Sequence, residues 1–277
     1  MPTASSLTAG SGWRAELDLE FTVGGHRTVL SKRRHSGPLM VQRPFYPEGE
    51  VCHCYVIHPP GGIVGGDLLD IGVTAEPGAH VVMTTPAAAK FYRSDGRRAQ
   101  LSQKIAVNDA VVEWLPQENI FFGDSQVRMQ TRVQLRGNAK FLGWELACYG
   151  RPASGDTFAA GRVSQAFELW RDGLPLVLEQ LRLDGSQSMM QARWGLAGYT
   201  VMGTLLAYPA SEAEVQAVRS IEFASGLLTA TLVDGVLVCR CVAHHTHLAK
   251  DTLVSVWKQL RPLMLGREAV LPRVWAT

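Results

Sequence analysis

The chain has 277 residues, of which 46% are hydrophobic and 19% charged, and its formal net charge is +2. This composition is typical of a folded soluble protein and excludes a wholly disordered one. Because 27 basic side chains are almost balanced by 25 acidic ones, no overall field would gather phosphate groups or anionic lipids. Nucleic acid and membranes are therefore not expected partners.

The first twelve residues are small and polar, and they predict a loose tail (1–12) before one domain that spans residues 13–277. They lack the basic and apolar regions of a secretion signal. The longest nearly apolar run, Leu196 to Leu206, is too short to cross a bilayer whose hydrocarbon core is about 30 Å thick. The five cysteines include no C-x-x-C pair, which favours reduced thiols and a cytoplasmic location.

Short strands joined by tight turns dominate the predicted elements. Alternating residues on both sides of Gly24-Gly25 predict a hairpin from Trp13 to Leu30. The same pattern predicts a strand from Val51 to His58 and further strand pairs, each around a turn of Gly, Pro, Asn or Asp. These turns lie at Pro77-Gly78, Asn108-Asp109, Gly137-Asn138, Asp172-Gly173 and Asp234-Gly235.

Two segments predict helices. Ser211 and Glu214 have the spacing of a capping box, which predicts a helix from Ser211 to Arg219. Apolar residues repeat at three and four residues from Thr246 to Leu260, which predicts an amphipathic helix that lies on a sheet and ends at Pro262. The sequence therefore predicts a mainly β fold, a single β-rich domain of stacked strands and hairpins with two α-helices on one side.

The ten residues from His58 to Asp67, HPPGGIVGGD, combine four glycines with two prolines, a composition that fixes backbone shape. Glycine clusters can also hold phosphates, but no Gly-Lys-Ser/Thr follows and the next residues predict a strand instead of a helix. The pattern alone favours a rigid loop between strands over a binding loop.

Further motifs follow this segment in order: TTPAAAKFYRS (Thr84 to Ser94), EWLPQENIFF (Glu113 to Phe122), GRPASGDTF (Gly150 to Phe158) and LRPLMLGREAVLPRVWAT (Leu260 to Thr277). The series resembles the urease accessory protein UreD (UreH) family from about Trp13 onward. The resemblance implies a β-helical stack of strands with two helices on one side. It also implies a non-enzymatic maturation factor, a scaffold and metallochaperone that works on apo-urease.

Members of the family are similar in joining UreF and, through UreF, the GTPase UreG on apo-urease, and in offering an internal water-filled passage toward the nickel site. The resemblance implies Ni²⁺ in transit and no tightly bound cofactor. The chain has no Walker loop, so GTP hydrolysis is expected of UreG.

Transient nickel binding favours oxygen and imidazole ligands, because thiolate sites would trap the ion. Within the motif-like segments, candidates for a nickel passage are His58, Asp67, Glu118, Glu145 and Glu179. A surface or ion-paired position is equally consistent with the pattern around each carboxylate. Candidates for supporting or partner-contacting residues are Thr84, Thr85, Lys90, Tyr92, Arg93 and Arg151, with structural salt bridges as the alternative for the charged ones.

The segment CRCVAHHTH is a competing metal signal. It places five soft or borderline ligands within nine residues: Cys239, Cys241, His244, His245 and His247. The two cysteines alternate along a predicted strand, which favours core packing, and the histidines precede a helix, where solvated side chains are favoured. Cys52 and Cys54 alternate in the same way.

Two other functions stay open at this point. One is a structural adaptor with no role in metal transit. The other is a metal-dependent hydrolase that would use His58, Asp67 and the histidines from His244 to His247 with a bound water. The sequence has no H-E-x-x-H and no G-x-S-x-G motif, which disfavours the hydrolase.

Overall fold

The computed structural model describes residues 12–185 and 187–276. Apart from Gly12, the predicted tail at residues 1–12 lies outside the described residues. The strands, in chain order, are β1 (Arg14–Gly24), β2 (Arg27–Ser36), β3 (Met40–Val41), β4 (Cys52–Ile57), β5 (Leu68–Ala75), β6 (His80–Thr84), β7 (Ala89–Phe91), β8 (Ala99–Asn108), β9 (Val111–Trp114), β10 (Asn119–Phe121), β11 (Gln126–Arg136), β12 (Lys140–Tyr149), β13 (Arg162–Arg171), β14 (Leu174–Asp184), β15 (Val201–Tyr208), β16 (Gly226–Val233) and β17 (Val236–Ala243). The helices are α1 (Gln187–Gln191), α2 (Glu212–Arg219) and α3 (Thr246–Leu265), with 3₁₀ turns at Pro152–Ser154 and Arg273–Ala276.

These strands form two sheets within the described ranges. The first sheet has the order β14-β13-β11-β8-β5-β1-β2, and its five inner strands run parallel. The second has the order β16-β17-β15-β12-β9-β6-β4-β3, with β4, β6, β9 and β12 parallel and with β10 and β7 continuing beside the end of β12. The mainly β, β-helical arrangement is thereby confirmed.

Three of the predicted hairpins are wrong. The strands on either side of Pro77-Gly78, Asn108-Asp109 and Gly137-Asn138 lie in different sheets, so each turn is an arch that crosses from one sheet to the other. Each strand instead pairs in parallel with a strand that lies one coil away along the chain. The hairpins around Gly25, Asp172-Gly173 and Asp234-Gly235 are confirmed. Local alternation cannot distinguish the two kinds of turn, because both connect strands with one buried face.

Two apolar cores follow from this layering. One lies between the sheets and takes the inward residues of β1, β5, β8, β11 and β13. The other lies between the second sheet and the helices, where α3 contacts β12, β15 and β17 and α2 contacts β16 and α3. Since β12 is covered on both faces, its run from Phe141 to Tyr149 is buried throughout, as expected for a strand between two layers.

The predicted capping box is present: Ser211 accepts a hydrogen bond from the backbone of Ala213, and Glu214 accepts one from the backbone of Ser211. The predicted end of the last helix is wrong, because α3 continues through Pro262 to Leu265 and ends at Gly266, whose φ of 65° suits a left-handed cap. The short helix α1 lacks the periodicity that predicts a helix. None of the described helices is long and apolar enough to span a bilayer.

Candidate functional site

Four of the motifs meet at one end of the second sheet. The strands β4, β6, β9 and β12 are parallel neighbours, so the segments that follow them leave the sheet at the same end. These segments begin at His58, Thr85, Leu115 and Gly150. Segments that begin 27 to 92 residues apart along the chain thus meet at one end of the sheets, because each coil returns the chain to the same end.

The segment from His58 to Asp67 is a rigid corner against the strand β7. The Ile63 amide donates to the Lys90 carbonyl at 2.7 Å, and the Tyr92 amide donates to the Ile63 carbonyl at 2.9 Å. A Cβ atom at Gly62 would lie 1.9 Å from Cε2 of Tyr92, so only glycine fits beneath that ring. The glycine-rich composition therefore serves close backbone approach.

Asp67 is buried and holds this corner in place. One carboxylate oxygen accepts the Trp13 amide at 2.8 Å, and the other accepts the Val64 amide at 2.9 Å. Asp67 does not line either of the cavities described below. Its contacts are those of a residue that shapes the loop beside His58.

A cavity of about 190 Å³ lies below the corner, between the two sheets. Its walls are mostly apolar, with side chains such as Leu69, Ile71 and Trp114. The polar side chains at its surface are few: those of His58, Thr85, Lys90, Gln103, Gln117, Asn119 and Glu145. Burial lowers the pKa of His58, although the Asp67 carboxylate opposes this, so the imidazole is neutral and able to act as a ligand near pH 7.

Glu145 projects from β12 into this cavity and also lines a second one of about 30 Å³. Burial raises the pKa of Glu145 to about 8, while the nearby Thr131 hydroxyl opposes that rise. Its Oε1 atom is buried and has no hydrogen-bond partner among the described residues. Glu145 is therefore a carboxyl group between two cavities with one oxygen free for a ligand.

Inward-facing polar side chains continue from Glu145 across both sheets. In the first sheet, Thr131 lies in register with Gln103 and donates a hydrogen bond to its Oε1 atom at 2.6 Å. The second cavity adds Gln165, which accepts a 2.6 Å hydrogen bond from Tyr149, and Thr204, the register neighbour of Glu145. The interior between the sheets thus contains a polar line within an otherwise apolar core.

This line ends at Glu179 on the edge strand β14. Glu179 lines the second cavity and binds Arg240 of β17 through two hydrogen bonds, one of which joins Nε to Oε1 at 3.0 Å. The pair connects the two sheets at the outer edge of the sandwich. Three predicted passage residues, His58, Glu145 and Glu179, thus lie along one series of cavities.

Glu118 lies elsewhere. Its carbonyl accepts the Ala89 amide at 2.9 Å, and its side chain lines neither cavity. Instead its charge acts on Lys250 of α3. Burial lowers the pKa of Lys250 to about 8, and the nearby Glu118 carboxylate partly opposes this decrease. The ammonium of Lys250 lies 4.2 Å from the centre of the Trp275 ring, on the helical side of the sheet.

The two predicted threonines connect the motifs around the opening. Thr84 donates to the Leu115 carbonyl at 2.5 Å and accepts the indole N–H of Trp275 at 2.9 Å. Thr85 accepts the Gln117 amide at 2.9 Å. Both therefore hold the segment after β9 against the end of β6.

The predicted basic and aromatic residues lie at the surface of the same end. Lys90 lines the rim of the larger cavity, and Tyr92 packs edge-on against Phe122 with ring centres 4.8 Å apart. The guanidinium of Arg151 lies over the Phe122 ring, 4.3 Å from its centre, and contacts Asp156 at 3.4 Å. Arg93 has a similar exposed contact with Asp124 at 3.3 Å.

The segment from Cys239 to His247 does not form a cluster of ligands. Cys239 and Cys241 point into the core beneath α3, and burial raises the pKa of Cys241 to about 12, which disfavours the thiolate. His244, His245 and His247 are exposed at the start of α3. Over residues 12–185 and 187–276, no three His, Cys, Asp or Glu side chains form a group that could hold a metal ion. The geometry corrects this metal interpretation and supports core packing of the cysteines.

Sequence analysis does not identify Arg240 or the polar residues Gln103, Thr131, Gln165 and Thr204 that lie between the two predicted glutamates. The available signal was a polar residue at an inward position of a strand that otherwise alternates correctly, as in Ala99, Leu101, Gln103, Ile105 and Val107 of β8. The alternation gives the face of each polar residue. It does not give the register that aligns one strand with the next, which depends on the coil.

Comparisons with known proteins show which family the chain belongs to. The family model described as UreD urease accessory protein matches residues 14–276. Proteins named urease accessory protein UreD are similar over nearly their whole length: that of Citrobacter koseri is 43% identical over 100% of this chain and 96% of its own. That of Klebsiella aerogenes is 43% identical over 96% and 97%, and that of an Azoarcus species is 44% identical over 97% and 96%. The chain therefore belongs to the UreD urease accessory protein family.

Proposed function

We propose that this chain is a urease maturation factor that guides Ni²⁺ along the polar line between its two sheets. The observation that carries the proposal is the position of Glu145, a fully buried carboxyl group between two cavities with an unpartnered oxygen. Burying such a group costs free energy unless a ligand or partner compensates it. A transient cation would supply that compensation.

The path would run from His58 at the motif end, past Glu145, to Glu179 at the edge of the sandwich. Single imidazole and carboxylate groups spaced along a path hold a divalent ion weakly, whereas a cluster of thiolates would retain it. Between these groups the walls are mostly apolar, and the remaining polar side chains, such as Gln103 and Thr204, are neutral oxygen donors that bind a divalent ion more weakly than a carboxylate. Such an arrangement is suited to transferring nickel and not to storing it.

The partners that we infer are UreF, UreG bound through UreF, and apo-urease, with the chain acting as a non-enzymatic cytoplasmic scaffold without a tightly bound cofactor. The motif end offers a contact surface in the exposed side chains of Tyr92 and Arg151, which both contact Phe122, and of Arg93, which pairs with Asp124. Arginine and tyrosine are common in protein interfaces because they combine a large contact area with polar groups.

The test compares two buried glutamates. Glu145→Gln replaces the ionisable carboxyl group inside the path by an amide that cannot become an anionic ligand, whereas Glu168→Gln changes a carboxylate that contacts Arg132 and Trp170. Each variant is purified with UreF, UreG and apo-urease, and the nickel content and activity of the recovered urease are measured. We expect Glu145→Gln to lower nickel content at least about tenfold with complex formation intact, and Glu168→Gln to leave it near wild type.

Full nickel loading with Glu145→Gln would overturn the passage. Loss of complex formation with the same variant would favour the alternative, a structural adaptor whose surface alone matters. Because the substitution is buried, thermal unfolding of the variant must first show that its fold is intact before lost binding is assigned to the surface.

A further inference from the structure

The ion pair between Glu179 and Arg240 lies where the polar line reaches the edge of the sandwich. Glu179 faces inward from β14, the outermost strand of the first sheet, and Arg240 faces inward from β17 of the second sheet. The guanidinium meets the carboxylate in a two-pronged contact, Nε to Oε1 at 3.0 Å and Nη2 to Oε2. This geometry holds both oxygens of Glu179 at once.

Arg240 also continues the line of residues that begins at Glu145. In the register of the second sheet, Glu145 lies opposite Thr204, and Thr204 lies opposite Arg240. The second cavity has Glu145 and Glu179 in its wall. A cation that passes Glu145 and reaches Glu179 would therefore meet a carboxylate that already holds a positive charge.

Stability alone is a weak reason for this pair. The side chain of Glu179 is 23% exposed and that of Arg240 is 39% exposed. Ion pairs that are partly exposed contribute little to stability, because water screens the charges and two long side chains lose freedom. The inward neighbours of Arg240 on β17, Val236 and Val238, are apolar and buried. An arginine at this position thus places a charge at the end of the apolar core with little gain in stability.

We propose that Arg240 closes the lateral end of the path by occupying the Glu179 carboxylate, so that a divalent cation binds Glu179 only after Arg240 moves away. The inference rests on the proposed passage and adds its regulation. The Arg240 guanidinium occupies the Glu179 carboxylate, and a divalent cation must displace it in order to bind there. Because a guanidinium cannot lose its proton near neutral pH, the closure is displaced only by movement or by competition from another cation.

The experiment measures Ni²⁺ binding to the full chain by equilibrium dialysis, with four proteins: wild type, Arg240→Gln, Arg240→Lys, and the double variant Arg240→Gln/Glu179→Gln. We expect Arg240→Gln to gain one site with about tenfold or higher affinity than wild type, equivalent to about 1.4 kcal/mol. The double variant should lose that gain. Arg240→Lys should bind at an intermediate level, because an ammonium engages both oxygens less well.

Equal binding by wild type and Arg240→Gln would overturn the closure, as would a gain that persists in the double variant. Thermal unfolding of each variant shows whether it is folded, and Arg240→Lys replaces Arg240→Gln if the latter is not. The passage itself is judged separately by Glu145→Gln in the urease activation assay. A binding gain together with unchanged activation by Glu145→Gln would keep the cation site and reject the passage.

Discussion

Arg261 of α3 and Glu113 of β9 form an ion pair in which both side chains are fully buried and Nε lies 3.1 Å from each carboxylate oxygen. The same carboxylate accepts the indole N–H of Trp257 at 2.6 Å and contacts His80 Nε2 at 2.7 Å. On its other side, Arg261 binds Glu48 at 2.7 Å. The helix that covers the second sheet is therefore held there by a buried charged network as well as by apolar contacts.

Glu113→Gln should destabilise the fold strongly, because the buried guanidinium loses one of its two compensating charges. Removal of one partner from a buried pair costs about 3 to 5 kcal/mol. Urea or guanidinium unfolding at pH 7 measures the loss. The control is Asp18→Asn, which breaks an exposed pair with Arg34 and should cost less than about 1 kcal/mol. Equal costs for the two variants would show that the network does not stabilise the fold.

The same network predicts loss of stability in acid. Burial alone would raise the pKa of Glu113, but His80, Arg261 and Trp257 outweigh it and lower that pKa below its ordinary value of 4.5; His53 and Arg261 do the same for Glu48. A carboxylate whose pKa is lower in the folded than in the unfolded protein stabilises the fold at every pH above its unfolded-state pKa. This stabilisation disappears as the pH falls through the folded-state pKa.

We therefore expect the difference in unfolding free energy between wild type and Glu113→Gln to be constant above about pH 5.5 and to shrink below pH 4.5. Unfolding curves at pH 3.5, 4.5, 5.5 and 7 would measure it. A difference that stays the same down to the lowest pH would contradict this assignment of the charges.

The limits of sequence-based prediction are clear at particular residues. The capping box of α2 is local, since Ser211 and Glu214 contact only their own turn, and it was predicted correctly. The turn at Pro77-Gly78 is also local, but the pairing of the strands on either side of it is not, because each of them pairs with a strand one coil away. Glu145 and Glu179 are both candidates from the motif-like segments, but the contact of Glu179 with Arg240 cannot be predicted, because the two residues are 61 positions apart and meet only through the packing of two sheets.

Glu145 should make the fold less stable as pH rises. Burial raises its pKa from 4.5 to about 8, so its contribution is fully present below pH 4.5 and is lost as pH rises through the folded value. Glutamine cannot ionise. Relative to wild type, Glu145→Gln should therefore gain about 1.4 kcal/mol for each pH unit between these values and level off above about pH 8.

Denaturant unfolding of both proteins at pH 5, 6, 7, 8 and 9 would measure this gain. The comparison cancels the contributions of other titrating groups, because both proteins contain them. A difference that does not change with pH would mean that Glu145 is ionised in the folded protein at pH 7, with a hydrated environment in place of a dry one.

The corner at Gly62 allows a test of why the motif needs glycine. In Gly62→Ala, the new Cβ atom would collide with the Tyr92 ring, at 1.9 Å from Cε2, and push it from its edge-on contact with Phe122. We expect a cost of about 1 to 3 kcal/mol, as for other overpacked sites. In a Tyr92→Ala background the same substitution should cost less than about 1 kcal/mol, because the colliding ring is absent. Denaturant unfolding of the four proteins in this cycle measures both costs. Equal costs in the two backgrounds would mean that contact with the Tyr92 ring is not the reason why residue 62 is glycine.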